Sequence, residues 1–213
     1  MVVILDYGMG NTGSILNMVC RAGGKAIITA DLEKIEQATA IILPGVGAFD
    51  NGMKKLNDSG ILEILNKKVL VDKTPFFGVC LGMQLLFKRS EEGVLPGLGW
   101  IPGVVNRFKF DQVENKKQLK IPHMGWNVIE PKASDSLYRG LENEGRFYFV
   151  HSYHVVCENE DHVLAVANYG YKFVCSVHKE NIFGAQFHPE KSHRFGMAVF
   201  RNFLKDAKCL EYA

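Results

Sequence analysis

The sequence predicts an α/β fold: an open, mostly parallel sheet flanked by helices, with an additional antiparallel or mixed β region. Three observations carry that expectation. Short apolar runs alternate with helically spaced stretches from Val2 to about Lys88. From Glu91 onward the texture changes to Gly- and Pro-rich turns and alternating segments. A chain of 213 residues, at about 150 per domain, makes a single domain over residues 1–213.

The elements follow in order. Val2 to Leu5 is an apolar run stopped by Asp6 and glycines, and Ser14 to Ala22 carries Ile15, Met18, Val19 and Ala22 on one helical face before Gly23-Gly24 ends it. Ala26 to Thr29 is strand-like, Asp31 can cap a helix to about Gln37, and Ala40 to Leu43 is a third strand before Pro44. Residues 45 to 52 are expected as loop, with helical stretches around Met53 to Leu56 and Ile61 to Val69. Pro75 to Val79 is a fourth buried strand, followed by a helix from Leu81 to about Lys88. Alternating segments then lie near Ile101 to Phe110, Gln118 to Ile129, Phe147 to Val156, Val163 to Asn168 and Phe173 to His178. Ile182 to Phe187 is a last strand and Phe195 to Leu204 a closing helix.

Composition narrows the function. The 47% hydrophobic and 23% charged content is ordinary for a globular chain and excludes disorder or a fibre. A formal charge of +2 leaves no footprint for nucleic acid. No stretch is long and apolar enough for a membrane span, and the first basic residue, Arg21, comes too late for the charged start of a signal peptide. Cys20, Cys80, Cys157, Cys175 and Cys209 are odd in number and widely spaced, which fits unpaired thiols in a reducing cytoplasm. His151 and His154, three apart on one expected strand, would point to opposite faces, so no metal is expected.

Two glycine motifs compete for the function. Gly8, Gly10 and Gly13 match a dinucleotide fingerprint between strand and helix, with Asp31 placed to take a ribose hydroxyl. Asp6 beside that cradle would repel a pyrophosphate, and little chain remains for a substrate domain, so no cofactor is expected. Gly78-Val79-Cys80-Leu81-Gly82 instead has the spacing of a nucleophile elbow, cysteine replacing serine. A helix N-terminus there favours a thiolate, and the Leu81 amide could meet an oxyanion. The alternative is a buried structural cysteine. His188-Pro189-Glu190 supplies an imidazole with a carboxylate two residues on, which an extended segment would point the same way. The loop Pro44 to Phe49 could offer a second oxyanion amide, or be a plain turn.

These residues resemble the class I (triad) glutamine amidotransferases, whose Cys elbow and His-x-Glu pair match Cys80, His188 and Glu190. Asp6 to Asn11, Pro44 to Phe49, Cys80 to Leu85, Pro122 to Asn127, Tyr148 to Tyr153 and Gln186 to Ser192 together are similar to the glutaminase subunits of imidazole glycerol phosphate synthase. The resemblance implies a flavodoxin-like architecture and a Cys80-His188-Glu190 triad that hydrolyses glutamine. It also implies an oxyanion hole at Leu81, Val46 and Gly47, and glutamine binding by Gln84, Ser152 and Tyr153. The partner it implies is a (β/α)₈-barrel synthase in a heterodimer, which uses the ammonia to make imidazole glycerol phosphate and AICAR in histidine biosynthesis. Met9, Asn11, Met124 and Trp126 are its interface candidates, Trp126 having a core strand position as its alternative. Thr12-Gly13, His154 and His193 to Met197 depart from the commonest pattern. They look closer to a sister branch that amidinates amino sugars of surface polysaccharides.

Overall fold

The computed structural model describes residues 1–111, 113, 119–132, 137–141 and 145–210. Its strands are β1 (Val2–Leu5), β2 (Ala26–Thr29), β3 (Ala40–Leu43), β4 (Phe76–Val79), β5 (Gly103–Arg107), β6 (His123–Pro131), β7 (Arg146–His151), β8 (Tyr153–Cys157), β9 (Val163–Tyr169), β10 (Tyr171–Lys179) and β11 (Ile182–Ala185). The main path runs β2-β1-β3-β4-β11-β10-β9-β6-β7, with β5 joined through β8 to β10. Pairings from β2 to β11 are parallel and those from β11 to β7 antiparallel. The expected α/β class, parallel in its first half and antiparallel in its second, is what is found.

Burial explains the division. Every residue of β1, β3, β4 and β11 is buried, as strands covered on both faces require. Along β1, Val2 and Ile4 enter one core while Val3 and Leu5 enter the other. The first core includes Ile15, Met18 and Val19 of α1 (Thr12–Arg21) and Val199, Phe200 and Phe203 of α6 (His193–Asp206). The second takes Ile35 of α2 (Leu32–Glu36), Phe49, Met53 and Leu56 of α3 (Phe49–Asp58) and Leu65 of α4 (Leu62–Asn66). Asp31 caps α2, its carboxylate accepting from the Lys34 amide at 3.1 Å.

Several expectations need correction. Helix α3 begins at Phe49, inside the stretch read as loop, because Glu92 supplies the missing cap by accepting from the Phe49 amide at 2.8 Å. The elbow helix α5 is only Leu81–Gln84. Its continuation is prevented because the carbonyls of Leu85, Leu86 and Phe87 accept instead from the amides of Leu98, Ile101 and Gly99. The segment read as one strand from Phe147 is two, β7 and β8, divided at Ser152. That break defeats the simple alternation, so His151 and His154 both pack on the Phe108 ring, with centroids 5.2 and 4.9 Å away. Gln118 lies outside the described residues.

Candidate active site

The tips of three adjacent strands build the site. Strands β3, β4 and β11 are neighbours and parallel, so the segments following them emerge at one end of the sheet, where ligands collect in open α/β folds. The loop after β3 carries Val46 and Gly47, Cys80 follows β4, and Gln186 and His188 follow β11. The Cys80 amide donates to Ala185 O at 2.7 Å, tying two of these ends together.

Cys80 occupies an elbow with φ 54° and ψ −110°, a left-handed region that a non-glycine residue enters only when its surroundings hold it there. Its neighbours explain how. A Cβ at Gly82 would collide with Leu43 O, so only glycine lets the start of α5 pass so close to the end of β3. His188, 1% exposed, donates from Nδ1 to Glu190 Oε1 at 2.8 Å. The pair forms as expected from the sequence, by a different local geometry: Pro189–Lys191 is a 3₁₀ turn that folds the carboxylate back under the ring, not an extended segment. Burial pulls the His188 pKa down, but Cys80 and Glu190 overcome it and hold the imidazole at about 10. Its Nε2 is buried and completes no hydrogen bond among the described residues.

A cavity of about 460 Å³ opens over these groups, lined among others by Val46, Gly47, Cys80, Leu81, Gln84, Ser152, Tyr153 and His188. It therefore brings together eight of the residues singled out from the sequence, with Glu190 beneath His188. Gln84 is buried, and its Nε2 donates to Tyr153 O at 3.2 Å and to Gln186 Oε1 at 3.0 Å. Both amide hydrogens are thus used, which leaves its oxygen to a ligand.

The sequence reading missed two members of the site. Gln186, fully buried, places its Nε2 3.7 Å from Cys80 Sγ. Its signal was a polar residue closing an apolar strand two positions before His188, hence on the same side. Glu92, unlike Gln186, lines the cavity itself. Burial raises its pKa, with the Phe49 amide working against that. No sequence signal marks Glu92, because its placement depends on a reciprocal clamp across more than forty residues. Glu92 caps α3, while Asp50 at the start of α3 accepts from the amides of Val94 and Leu95 at 2.9 and 3.0 Å.

The remaining candidates lie away from the cavity. Met9 is buried, with its sulfur accepting from Asn51 Nδ2 at 3.6 Å. Asn11 caps α1 by accepting from the Ser14 amide at 3.2 Å. Met124 and Trp126 are 62% and 41% exposed, so Trp126 is no core residue; its ring stacks on His193 at 5.5 Å. The Gly8 turn is filled by protein: a Cβ on Gly10 would come within 2.7 Å of Pro44 Cβ, and Tyr7 OH donates to Pro44 O at 2.6 Å. That close approach of two loops accounts for Gly10 without a dinucleotide. Among the described residues no cluster of potential metal ligands occurs.

A thiol on a strained elbow, facing a cavity with a carboxylate-oriented imidazole, is equipped for nucleophilic attack on a carbonyl. Comparison with known proteins agrees with that chemistry. Residues 3–207 match the family model "Glutamine amidotransferase class-I". The chain belongs to the class I glutamine amidotransferases.

Among curated members of this amidotransferase family, the chain is 52% identical over 207 residues to imidazole glycerol phosphate synthase subunit HisH 2 of Methanococcus maripaludis, covering 97% of this chain and 100% of that one. It is 49% identical to subunit HisH 2 of Pseudomonas aeruginosa, over 96% and 99% of the two chains. To subunit HisH of Bdellovibrio bacteriovorus it is 48% identical, over 95% and 98%. The fold is shared with a crystal structure of a glutamine amidotransferase at TM-score 0.68 and 24% identity, covering 98% and 100%. PurLQS from Thermotoga maritima gives a TM-score of 0.66 at 19% identity, covering 96% and 97%. Among the described residues, no helix of this amidotransferase is long and apolar enough to cross a membrane.

Proposed function

We propose that this amidotransferase, as one domain over residues 1–213, is the glutaminase subunit of imidazole glycerol phosphate synthase. The observation that carries the reading is Cys80 on its elbow at the cavity floor, with His188 beside it and Glu190 2.8 Å from the imidazole. The HisH names of relatives about half identical over nearly the whole chain support the pathway.

The Cys80 thiolate attacks the side-chain carboxamide carbon of glutamine, and the resulting oxyanion is met by the Leu81 amide and the Val46-Gly47 loop. The C–N bond breaks as His188 gives its proton to the departing ammonia, leaving a γ-glutamyl thioester on Cys80. His188 then takes a proton from water, whose oxygen attacks the thioester; glutamate leaves and the thiolate returns. Glu190 orients the imidazole and balances its charge. At the other end of the substrate, the Gln84 oxygen and the Glu92 carboxylate are placed for the α-ammonium, with Ser152 and Tyr153 closing the pocket.

Ammonia released into water would be protonated, so it is passed to a (β/α)₈-barrel synthase subunit in a heterodimer. Asn11, Met124 and Trp126 offer exposed contacts for it, while buried Met9 backs the oxyanion loop from beneath Gly47. Two relatives are numbered as second HisH subunits, which favours keeping one further reading: the same glutaminase chemistry feeding a synthase-like partner that amidinates surface-polysaccharide sugars.

Glutamate release by the purified chain, with and without a barrel partner loaded with acceptor, tests both. Turnover should rise with the partner and fall at least about a thousandfold in Cys80→Ala, whose fold should be intact. Hydrolysis retained by Cys80→Ala would overturn the assignment, and the acceptor that stimulates turnover separates the two pathways.

A further inference from the structure

Two buried imidazoles that the mechanism does not use lie end to end beside the cavity. His123 Nδ1 and His151 Nε2 are 3.0 Å apart, and both side chains are buried. The direction of every proton in this chain of contacts follows from the groups at its two ends. At the inner end, His151 Nδ1 is 2.7 Å from Tyr153 O. A carbonyl only accepts, so Nδ1 carries the hydrogen. Burial pushes the His151 pKa down to about 3, so the ring is neutral and its Nε2 is a bare acceptor. His123 Nδ1 must then be the donor. Burial holds His123 at about 4, so it too is neutral and its Nε2 accepts.

At the outer end, the Asn127 amide is locked by two backbone groups. Its oxygen accepts from the Val128 amide at 2.8 Å and its nitrogen donates to Asn168 O at 2.8 Å. That nitrogen lies 3.4 Å from His123 Nε2, a second and longer contact. The His123 ring is also gripped between the rings of Tyr169 and Phe149, with centroids 4.1 and 4.9 Å away. On the other side of Tyr153 O, Gln84 Nε2 donates to the same carbonyl and to Gln186, whose amide reaches the Cys80 sulfur.

We propose that His123 and His151 are positioning residues, a tautomer-locked relay that holds the Tyr153 carbonyl and, through Gln84 and Gln186, sets the glutamine pocket against Cys80. The inference rests on the glutaminase reading and adds the machinery that keeps its substrate pocket formed. It also joins that pocket to β6, the strand that exposes Met124 and Trp126 on its opposite side. A displacement of β6 by a docked partner would be felt at Tyr153 through bonds whose polarity leaves no alternative arrangement.

Imidazole ¹⁵N NMR of the intact chain at neutral pH tests the polarity directly. Both rings should be neutral and protonated at Nδ1, and the His123 nitrogens should shift when L-glutamine is added to Cys80→Ala. An Nε2-protonated form of either ring, or a His123 signal indifferent to glutamine, would overturn the relay. Glutamine affinity, measured by calorimetry on the Cys80→Ala chain, tests the consequence. Adding His123→Leu, which removes the donor, should raise Kd about tenfold, while His123→Asn, which keeps a donor at the Nδ1 position, should stay within about threefold. An unchanged Kd in His123→Leu, or no rescue by asparagine, would refute the role. If His123→Leu fails to fold, the tautomers of the unmutated ring still decide. A Cys80→Ala chain that binds no glutamine would remove the glutaminase reading and the relay with it, whereas binding that ignores His123 removes the relay alone.

Discussion

Replacing Glu190 by glutamine removes one charge from the site and almost nothing else. The shape is retained, and the new side-chain oxygen can still accept from His188 Nδ1. What disappears is the carboxylate at 2.8 Å from a ring, both side chains being 2% exposed. A hydrogen bond to a charged group is worth about 1.5–3 kcal/mol. In the proposed mechanism the imidazolium acts in each turnover, and about 1.4 kcal/mol corresponds to a factor of ten. Glu190→Gln should therefore lower kcat/KM for glutamine by about 10- to 150-fold in a glutamate-release assay. The same change has a signature in stability. His188 in the folded chain titrates near 10 against 6.5 in the unfolded one, so its contribution is complete below 6.5 and lost as pH rises through 10. Without the carboxylate the folded pKa drops, although Cys80 still raises it, so the fall in denaturant midpoints that starts near pH 6.5 should level off at lower pH and be smaller in total than in the unmutated chain. Turnover within about threefold of the unmutated enzyme, together with an unmoved alkaline limb, would refute the role assigned to Glu190.

Two further outcomes follow from the geometry. Gly82→Ala drives a methyl group into Leu43 O and must push α5 off the end of β3, costing about 1–3 kcal/mol in a melting experiment and displacing Cys80 enough to abolish turnover; full activity would mean that the elbow tolerates the shift. At the acid side, His123 and His151 titrate near 4 and 3 when folded and near 6.5 when unfolded, so the unfolded chain binds more protons below 6.5. Stability should fall by about 1.4 kcal/mol per pH unit for each ring as pH drops from 6.5 toward 4, read as urea midpoints; a flat midpoint across that window would contradict their neutral burial.

The order of strands and helices in the first half was legible because parallel strands buried on both faces read as unbroken apolar runs, and Val2 to Leu5, Ala40 to Leu43 and Phe76 to Val79 are nothing else. The elbow at Cys80 and the His188-Glu190 pair were legible for a related reason: residues that act together here sit within two positions of a strand end or of one another. Where an element ends was less legible, since backbone groups choose partners from anywhere in the chain. Helix α5 stops at Gln84 because the 98–101 segment takes its next carbonyls, and α3 starts at Phe49 because Glu92 caps it from forty-three residues away. By itself, then, the sequence determined the fold class, the elbow at Cys80 and the His188-Glu190 pair, all of them consequences of local patterning. The tertiary structure alone decided that Glu92 lines the cavity, that Trp126 lies on the surface, and that His123 and His151 join hands behind Tyr153. Each of those depends on long-range hydrogen bonds and burial, which no spacing along the chain records.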